Sequence, residues 1–189
     1  MGTSEFAVPP LKALVNSGYK VSLVVTKEDV PKGRGGKLGI SPVKAVAESL
    51  SLPIVQPRSL RNNEEFLETL RAIAPDIIVV ASYGHILPEE VLEIPPLGCI
   101  NIHASLLPEY RGAAPIQRAV LDGCKEVGIT LMYMDKGLDT GDMIAKSKVA
   151  AEGKTAANLE TELAILGADL LLEQLPLISS GKAERIPQN

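Results

Sequence analysis

The sequence predicts an α/β fold with a doubly wound, mostly parallel sheet, and three observations support this prediction. Apolar stretches of strand length alternate with stretches of helical length along most of the 189 residues. Aromatic residues make up only 3% of the chain, so the core is expected to be aliphatic, as in parallel sheets rich in Val and Ile. Helix-capping residues and glycines fall at the boundaries between the stretches. Such alternation implies right-handed crossovers between parallel strands.

The predicted helices begin at capping residues. Ser4 can cap a first helix that runs to Asn16, with Gly18 just beyond its end. Ser41 and Pro42 are an N-cap followed by proline at the first helical position, which indicates a second helix. The remaining predicted helices span residues 62–74, 88–92, 115–121 and 155–175.

The predicted strands locate the edge of the sheet where a ligand is expected. They span residues 19–26, 54–55, 76–81, 99–103, 127–134 and 143–149. In doubly wound sheets, ligands bind beyond the carboxyl ends of the strands. This rule selects four segments, which are residues 2–3, 82–87, 101–111 and 135–142.

Composition and charge narrow the classes of function. The net charge of −4 means that contact with RNA would need a local basic patch or another domain. Cys99 and Cys124 form no C-x-x-C pair, so neither a zinc site nor a disulfide framework is expected. No apolar run approaches the roughly 20 residues that cross a bilayer, and no leader is recognisable. We therefore expect a cytoplasmic protein that binds no membrane.

Asn101 and His103 are the first candidates for chemistry. They lie two residues apart on a predicted strand, so their side chains point to the same face. Polar groups on an otherwise apolar strand must be hydrogen-bonded or must face a cleft. The two residues are therefore either a core pair satisfied by loop backbone or part of an active site.

Two loops near this strand are also candidates. The segment S-L-L-P-E-Y-R-G-A-A-P at 105–115 holds two prolines and a glycine, which indicates a rigid loop close to a ligand, with Arg111 either solvated or beside the cleft. Asp139 is at the centre of G-L-D-T-G-D at 137–142, a pattern that is also a common turn. An Asp within hydrogen-bond reach of His103 would hold the imidazole ring in one orientation.

Longer motifs carry a resemblance to a known family. The runs N-I-H-A-S-L-L-P-E-Y-R-G-A-A-P-I-Q at 101–117 and G-L-D-T-G-D-M at 137–143 resemble the folate-dependent formyltransferases. The runs R-G-A-A-P-I-Q at 111–117 and S-P-V-K at 41–44 are more similar to the branch that acts on methionyl-tRNA. The resemblance extends through G-T-S-E-F-A-V-P at 2–9 and R-G-G-K-L-G-I-S-P-V-K at 34–44. The resemblance covers the whole chain, and it implies a Rossmann-like catalytic domain over residues 1–189.

The resemblance also implies roles for individual residues. Asn101, His103 and Asp139 match the family's catalytic trio, and Arg34 and Lys37 match its tRNA-binding loop. The residues that match the folate-binding positions are Ser105, Leu106, Leu107, Pro108, Tyr83, Gly84, His85, Ile86, Leu87, Met134 and Leu138. For His85, a second base in the reaction and a surface or gating role are both open.

The activity implied is transfer of a formyl group from 10-formyltetrahydrofolate to the amino group of initiator methionyl-tRNA, without a metal and as a monomer. Other interpretations are a formyltransferase for a sugar amine, a related folate hydrolase, and a folate-binding fragment without catalytic activity. A dinucleotide-dependent dehydrogenase is disfavoured because the chain has no G-x-G-x-x-G turn between a first strand and helix.

The sequence departs from the family's pattern at both ends. The resemblance implies a short central strand just before Gly2, where this sequence has only Met1. It also implies a β-barrel domain that grips tRNA beyond Asn189. The first strand is therefore either lost from this sequence by a start placed too late, the interpretation that we favour, or absent from a truncated copy with impaired activity. The β-barrel domain is expected to be absent, and tRNA binding by this chain alone is expected to be weak and strongly salt-dependent.

Overall fold

The computed structural model describes the backbone of residues 1–32 and 37–189, and the side chains of residues 1–30 and 39–189. The α/β class is confirmed. The strands are β1 (Val24–Val25), β2 (Val30–Lys32), β3 (Lys37–Gly39), β4 (Ile54–Val55), β5 (Ile78–Val80), β6 (Cys99–His103), β7 (Glu126–Tyr133) and β8 (Met143–Ala150). The helices are α1 (Val8–Asn16), α2 (Pro42–Ser49), α3 (Glu64–Ile73), α4 (Glu89–Leu92), α5 (Pro115–Leu121) and α6 (Ala156–Ser179), and a 3₁₀ turn (Glu5–Ala7) precedes α1.

Three of the helices begin at side-chain caps, as their sequences indicate. The Ser41 hydroxyl accepts from the backbone N–H of Lys44, and Thr155 forms a reciprocal capping box with Asn158. The side chain of Asn63 caps α3, as Ser41 caps α2, by accepting from a backbone N–H of the first turn. The predicted cap at Ser4 is wrong, because its hydroxyl donates instead to the Ser82 hydroxyl, 2.7 Å away, and the chain first makes the 3₁₀ turn.

The main sheet is mixed, with the order β5-β6-β7-β8. Strands β5 and β6 are parallel, as are β1 and β4 in a separate pair, whereas β7 is antiparallel to both β6 and β8. The alternation pattern predicted mostly parallel pairing. The β7–β8 pair differs because no helix separates these strands, so the chain turns back directly and pairs in the antiparallel sense. The β6–β7 pair is antiparallel although α5 lies between its strands, so the alternation of helix and strand does not by itself fix the direction of pairing.

Residues 1–3 connect the β1–β4 pair to the main sheet. The Gly2 N–H donates to the Val25 carbonyl, and the Ala81 N–H donates to the Met1 carbonyl, both at 3.0 Å. Gly2 thereby forms a parallel bridge with Ala81. The segment therefore lies between β1 and β5, the central position in which the family resemblance implies a short strand.

Helix α6 covers one face of the main sheet and fixes the position of β6. Its fully buried Leu163 and Leu171 belong to the same apolar cluster as Ile100 and Ile102 of β6. The packing is closest at Gly167, where a Cβ atom would lie 2.7 Å from Cγ2 of Ile102.

Within the described ranges, no helix is both long enough and apolar enough to cross a membrane.

This close approach gives a stability prediction. Gly167→Val places a branched side chain against Ile102, and overpacking of this kind costs about 1–3 kcal/mol of the free energy of unfolding. Urea denaturation of this variant and of Asp169→Val, which adds the same side chain at an exposed position of α6, measures the effect. Equal stability of the two variants would mean that α6 does not pack on β6 as described.

Candidate active site

A cleft of about 580 Å³ opens at the carboxyl ends of β5 and β6. Its volume is in the range of small-molecule sites, roughly 300–1,000 Å³. Residues 82–87 form one wall, and residues 112–117 and 134–139 contribute to the others. Three of the four segments selected from the sequence therefore border the cleft, and the side chains of Asn101 and His103 are on the face of β6 that lines it.

The Asp139 carboxylate joins the two candidate residues of β6. Its Oδ1 accepts a hydrogen bond from Nδ2 of Asn101 at 3.1 Å, and its Oδ2 lies 3.5 Å from Nδ1 of His103. Oδ2 also accepts from the backbone N–H of Gly112 at 2.9 Å. The structure thus brings together the predicted trio. The second donor to the carboxylate, Gly112, is one that sequence analysis missed because it is a backbone group.

The loop that carries Asp139 is built to present this carboxylate. Asp139 has a left-handed backbone conformation with φ of 53°, which is uncommon for a residue other than glycine. The Asp135 carboxylate accepts from the Gly137 N–H and the Thr140 hydroxyl, and these bonds close the turn that contains Asp139. The Asp139 side chain is only 14% exposed, so the hydrogen bonds to it take the place of water.

The imidazole of His103 is held from its other side by a backbone carbonyl. Its Nε2 lies 3.1 Å from the carbonyl oxygen of Tyr110, and its side chain is 6% exposed. A carbonyl oxygen can only accept, so Nε2 carries a proton. Nδ1 is then the ring nitrogen that faces Asp139, and the 3.5 Å separation leaves it available to a ligand atom. The interpretation of Asn101 and His103 as a core pair satisfied by loop backbone is partly correct, because the Tyr110 carbonyl does bind His103.

Most of the predicted folate-binding wall lines the cleft. Ile86 and Leu138 are 77% and 62% exposed, which leaves two large apolar side chains at its mouth. The wall residues present are Tyr83, Gly84, His85, Ile86, Leu87, Met134 and Leu138. The Tyr83 hydroxyl has no hydrogen-bond partner in the described part of the chain, and burial raises the pKa of this phenol to about 12.

The predicted folate-binding residues 105–108 do not border the cleft. Ser105 and Leu107 are buried, and the Ser105 hydroxyl donates to the Glu109 carbonyl at 2.6 Å. The Thr130 hydroxyl of β7 donates to the Ser105 carbonyl and accepts from the Leu107 N–H. The structure therefore gives this segment a supporting position behind His103, and neither Leu106 nor Pro108 reaches the cleft.

Arg111 has a specific partner, although its side chain remains partly exposed. Its Nε and Nη2 donate to Oε1 of Gln188 at 3.0 and 2.8 Å. Gln188 is a site neighbour that sequence analysis missed, because no pattern marks residues 181–189. Arg34 lies outside the described residues, and Lys37 is described by its backbone alone, which belongs to β3.

A larger cavity of about 800 Å³ lies beside the cleft, next to the 3₁₀ turn and α6. Thr3, Lys27 and Glu160 contribute polar groups to its lining. None of the predicted trio lines it, so the smaller cleft is the candidate active site.

The sequence matches the family model described as formyl transferase over residues 1–175. The chain is 55% identical over 183 residues to the methionyl-tRNA formyltransferase of Caldanaerobacter subterraneus subsp. tengcongensis. The match covers 96% of this chain and 59% of that relative, so the chain spans about 60% of the relative's length.

Two solved structures are similar in fold. The phosphoribosylglycinamide formyltransferase of Anaplasma phagocytophilum superposes with a TM-score of 0.76 at 25% identity, over 96% of this chain and 84% of that one. The formyltransferase PseJ of Anoxybacillus kamchatkensis, solved with UDP-4,6-dideoxy-4-formamido-L-AltNAc and tetrahydrofolate, gives 0.61 at 27% identity, over 88% and 80%.

The electrostatics of the cleft mouth give a prediction for His85. Burial lowers the pKa of His85 below its ordinary value, the Lys27 ammonium group lowers it further, and Glu28 partly opposes both. Lys27→Gln removes one of the two lowering causes, so the pKa of His85 should rise. The chain has only two histidines, which makes NMR titration of the imidazole protons a direct measurement. A His85 pKa that is unchanged in Lys27→Gln would contradict this arrangement.

Proposed function

This chain belongs to the formyl transferase family, and we propose that it transfers a formyl group from 10-formyltetrahydrofolate to the amino group of initiator methionyl-tRNA. One observation carries the proposal above the others. Asn101, His103 and Asp139 converge in one cleft of a chain that is 55% identical to a methionyl-tRNA formyltransferase. Because the chain spans 59% of that relative, its acceptor and its activity in isolation are part of the proposal.

The donor is proposed to bind along the wall formed by residues 83–87, 134 and 138. The exposed side chains of Ile86 and Leu138 offer apolar contacts to a flat aromatic ligand. Backbone groups of the same wall can bind the polar edge of that ligand. Tetrahydrofolate in the related PseJ structure supports a reduced folate as the ligand. The side chains of residues 105–108 do not border the cleft, so their proposed contribution is to hold His103 and its loop in place.

The reaction is proposed to proceed by direct attack of the amine on the formyl carbon. The carbonyl oxygen takes up negative charge as the new C–N bond forms, so the site must supply donors to that oxygen. Asn101 uses only one of its two amide hydrogens on Asp139, which leaves the other for the oxyanion. Nδ1 of His103, when protonated, is the second donor, because Nε2 is bound to the Tyr110 carbonyl.

Breakdown of the tetrahedral species requires a proton to move from the attacking nitrogen to N10 of the folate. Asp139 is the group proposed to accept this proton from the amine. The protonated Nδ1 of His103, which lies next to Asp139, then gives a proton to N10 and is reprotonated by Asp139. The C–N10 bond then breaks, which leaves formylated methionyl-tRNA and tetrahydrofolate. No metal and no covalent intermediate is needed for these steps.

Recognition of the tRNA is assigned to the basic loop around residues 27–40. Arg34 and Lys37, carried over from the family's motif, are the proposed contacts to the acceptor end. With a net charge of −4, contact with a polyanion must come from such a local patch or from another domain. The function requires a cytoplasmic location, where charged tRNA is available, and we propose that the chain acts as a monomer.

Other acceptors define the alternatives. A sugar amine is the main one, because the related PseJ structure contains a formamido sugar, although at 27% identity rather than 55%. Water as the acceptor would make the chain a folate hydrolase that releases formate. A fragment that binds folate without turnover is the last alternative.

Formyl transfer from 10-formyltetrahydrofolate to methionyl-tRNA, to a nucleotide-linked amino sugar and to water tests these possibilities. We expect transfer to methionyl-tRNA alone, with kcat lowered about 100-fold or more in Asn101→Ala and in His103→Ala because each removes an oxyanion donor. Asn16→Ala, an exposed position at the end of α1, is the matched control and should keep full activity.

Binding of 5-formyltetrahydrofolate by each variant separates loss of chemistry from loss of folding or of donor binding. Full turnover in both Asn101→Ala and His103→Ala would refute the proposed mechanism. Transfer only to the sugar or only to water would mean that this compound, and not methionyl-tRNA, is the acceptor. Folate binding without turnover in the wild type would identify a binding fragment.

A further inference from the structure

The chain after α6 returns to the active site. The backbone of Ile186 makes a two-way bridge with Met143 at the start of β8, with N···O distances of 2.8 and 2.9 Å. The Arg185 guanidinium lies 3.8 Å above the ring of Tyr133 at the end of β7. These contacts bring Gln188 to the outer side of the loop that carries Asp139.

The Gln188 side chain connects two loops of the site. Its Nε2 donates to the backbone carbonyls of Asp139 and Gly141 at 3.0 and 2.7 Å. Its Oε1 accepts from Nε and Nη2 of Arg111 at 3.0 and 2.8 Å. Both hydrogens and both lone pairs of the amide are therefore used. A residue with four such bonds to two different loops has one strongly preferred position.

We propose that Gln188 is a positioning residue for the reaction, which fixes Asp139 against Asn101 and His103. The inference rests on the proposed function, because it assigns Asp139 a role in that chemistry. Asp139 has a left-handed φ of 53°, a conformation that costs free energy unless neighbouring contacts favour it. The amide of Gln188 binds the carbonyl of this same residue, so it stabilises the backbone that aims the carboxylate into the cleft.

The chemistry of the contacts requires an amide rather than an acid at this position. Arg111 presents two donors, whereas Asp139 and Gly141 present two acceptors. Only a side chain with an acceptor at one end and donors at the other satisfies both sides. A Glu at position 188 would bind Arg111 more strongly, through a charge-assisted pair, but would offer oxygen to the two carbonyls.

This difference separates positioning of Asp139 from simple anchoring of the tail. If Gln188 only anchored the tail to Arg111, Gln188→Glu would behave like the wild type, and Gln188→Ala would lose thermal stability without a loss of kcat. If Gln188 positions Asp139, both variants lose the donors to the loop, and kcat falls in both. The exposed Glu184→Gln, on the same tail, is the control for a change of charge there.

The experiment measures kcat and KM for formyl transfer and amide hydrogen exchange of residues 137–142 in the four proteins. We expect kcat to fall about 10- to 100-fold in both Gln188→Ala and Gln188→Glu, as for small displacements of a reacting group, with KM for the folate little changed. Exchange in residues 137–142 should be faster in both variants and unchanged in Glu184→Gln.

Wild-type kcat or wild-type exchange in Gln188→Glu would overturn the proposal. A fall in thermal stability with kcat unchanged in Gln188→Ala would also overturn it, since the role would be structural only. If the wild type transfers no formyl group, the proposed function fails, and the exchange measurement alone then decides whether Gln188 holds the Asp139 loop.

Discussion

The Asp139 carboxylate accepts hydrogen bonds from the Asn101 amide and from the Gly112 N–H while it faces the imidazole of His103. These donors come from β6 and from the loop that follows it, so one carboxylate holds together segments that would otherwise be independent. A largely buried carboxylate needs such donors, because burial deprives it of water. The bond from Asn101 orients its amide and uses only one of the two amide hydrogens. The cleft therefore depends on where this one side chain is placed.

The rest of the fold supplies the rigidity that this placement needs. Helix α6 packs against Ile102 from the face of β6 opposite Asn101 and His103, and Gly167 allows that approach. Thr130 of β7 binds the backbone of the segment behind His103. Recognition of the acceptor is assigned to a different region, around residues 27–40. Under the proposed function, donor chemistry and acceptor choice use different regions of the chain, and the solved structures of similar fold are formyltransferases named for other acceptors.

Much of the fold could be predicted from local sequence, and the parts that could not depend on distant contacts. The bounds of β6 and α5 match their predictions, because apolar alternation and a proline at the first helical turn are local signals. The antiparallel pairing of β7 with β8 follows from the direct turn between them, which a rule based on alternation overlooks. In the site, the trio could be predicted by resemblance. Gly112 and Gln188 could not, since a backbone N–H and an unpatterned tail leave no trace in the sequence.

Replacement of Asp139 by Asn tests the central role of its carboxylate most directly. The two groups that donate to it, Asn101 Nδ2 and Gly112 N, each require an acceptor, and an Asn side chain would turn an N–H₂ towards one of them. The measurement is the single-turnover rate of formyl transfer by Asp139→Asn, with the affinity for 5-formyltetrahydrofolate measured alongside. The account predicts a rate lowered about 100-fold or more with the affinity little changed. A rate close to that of the wild type would contradict it.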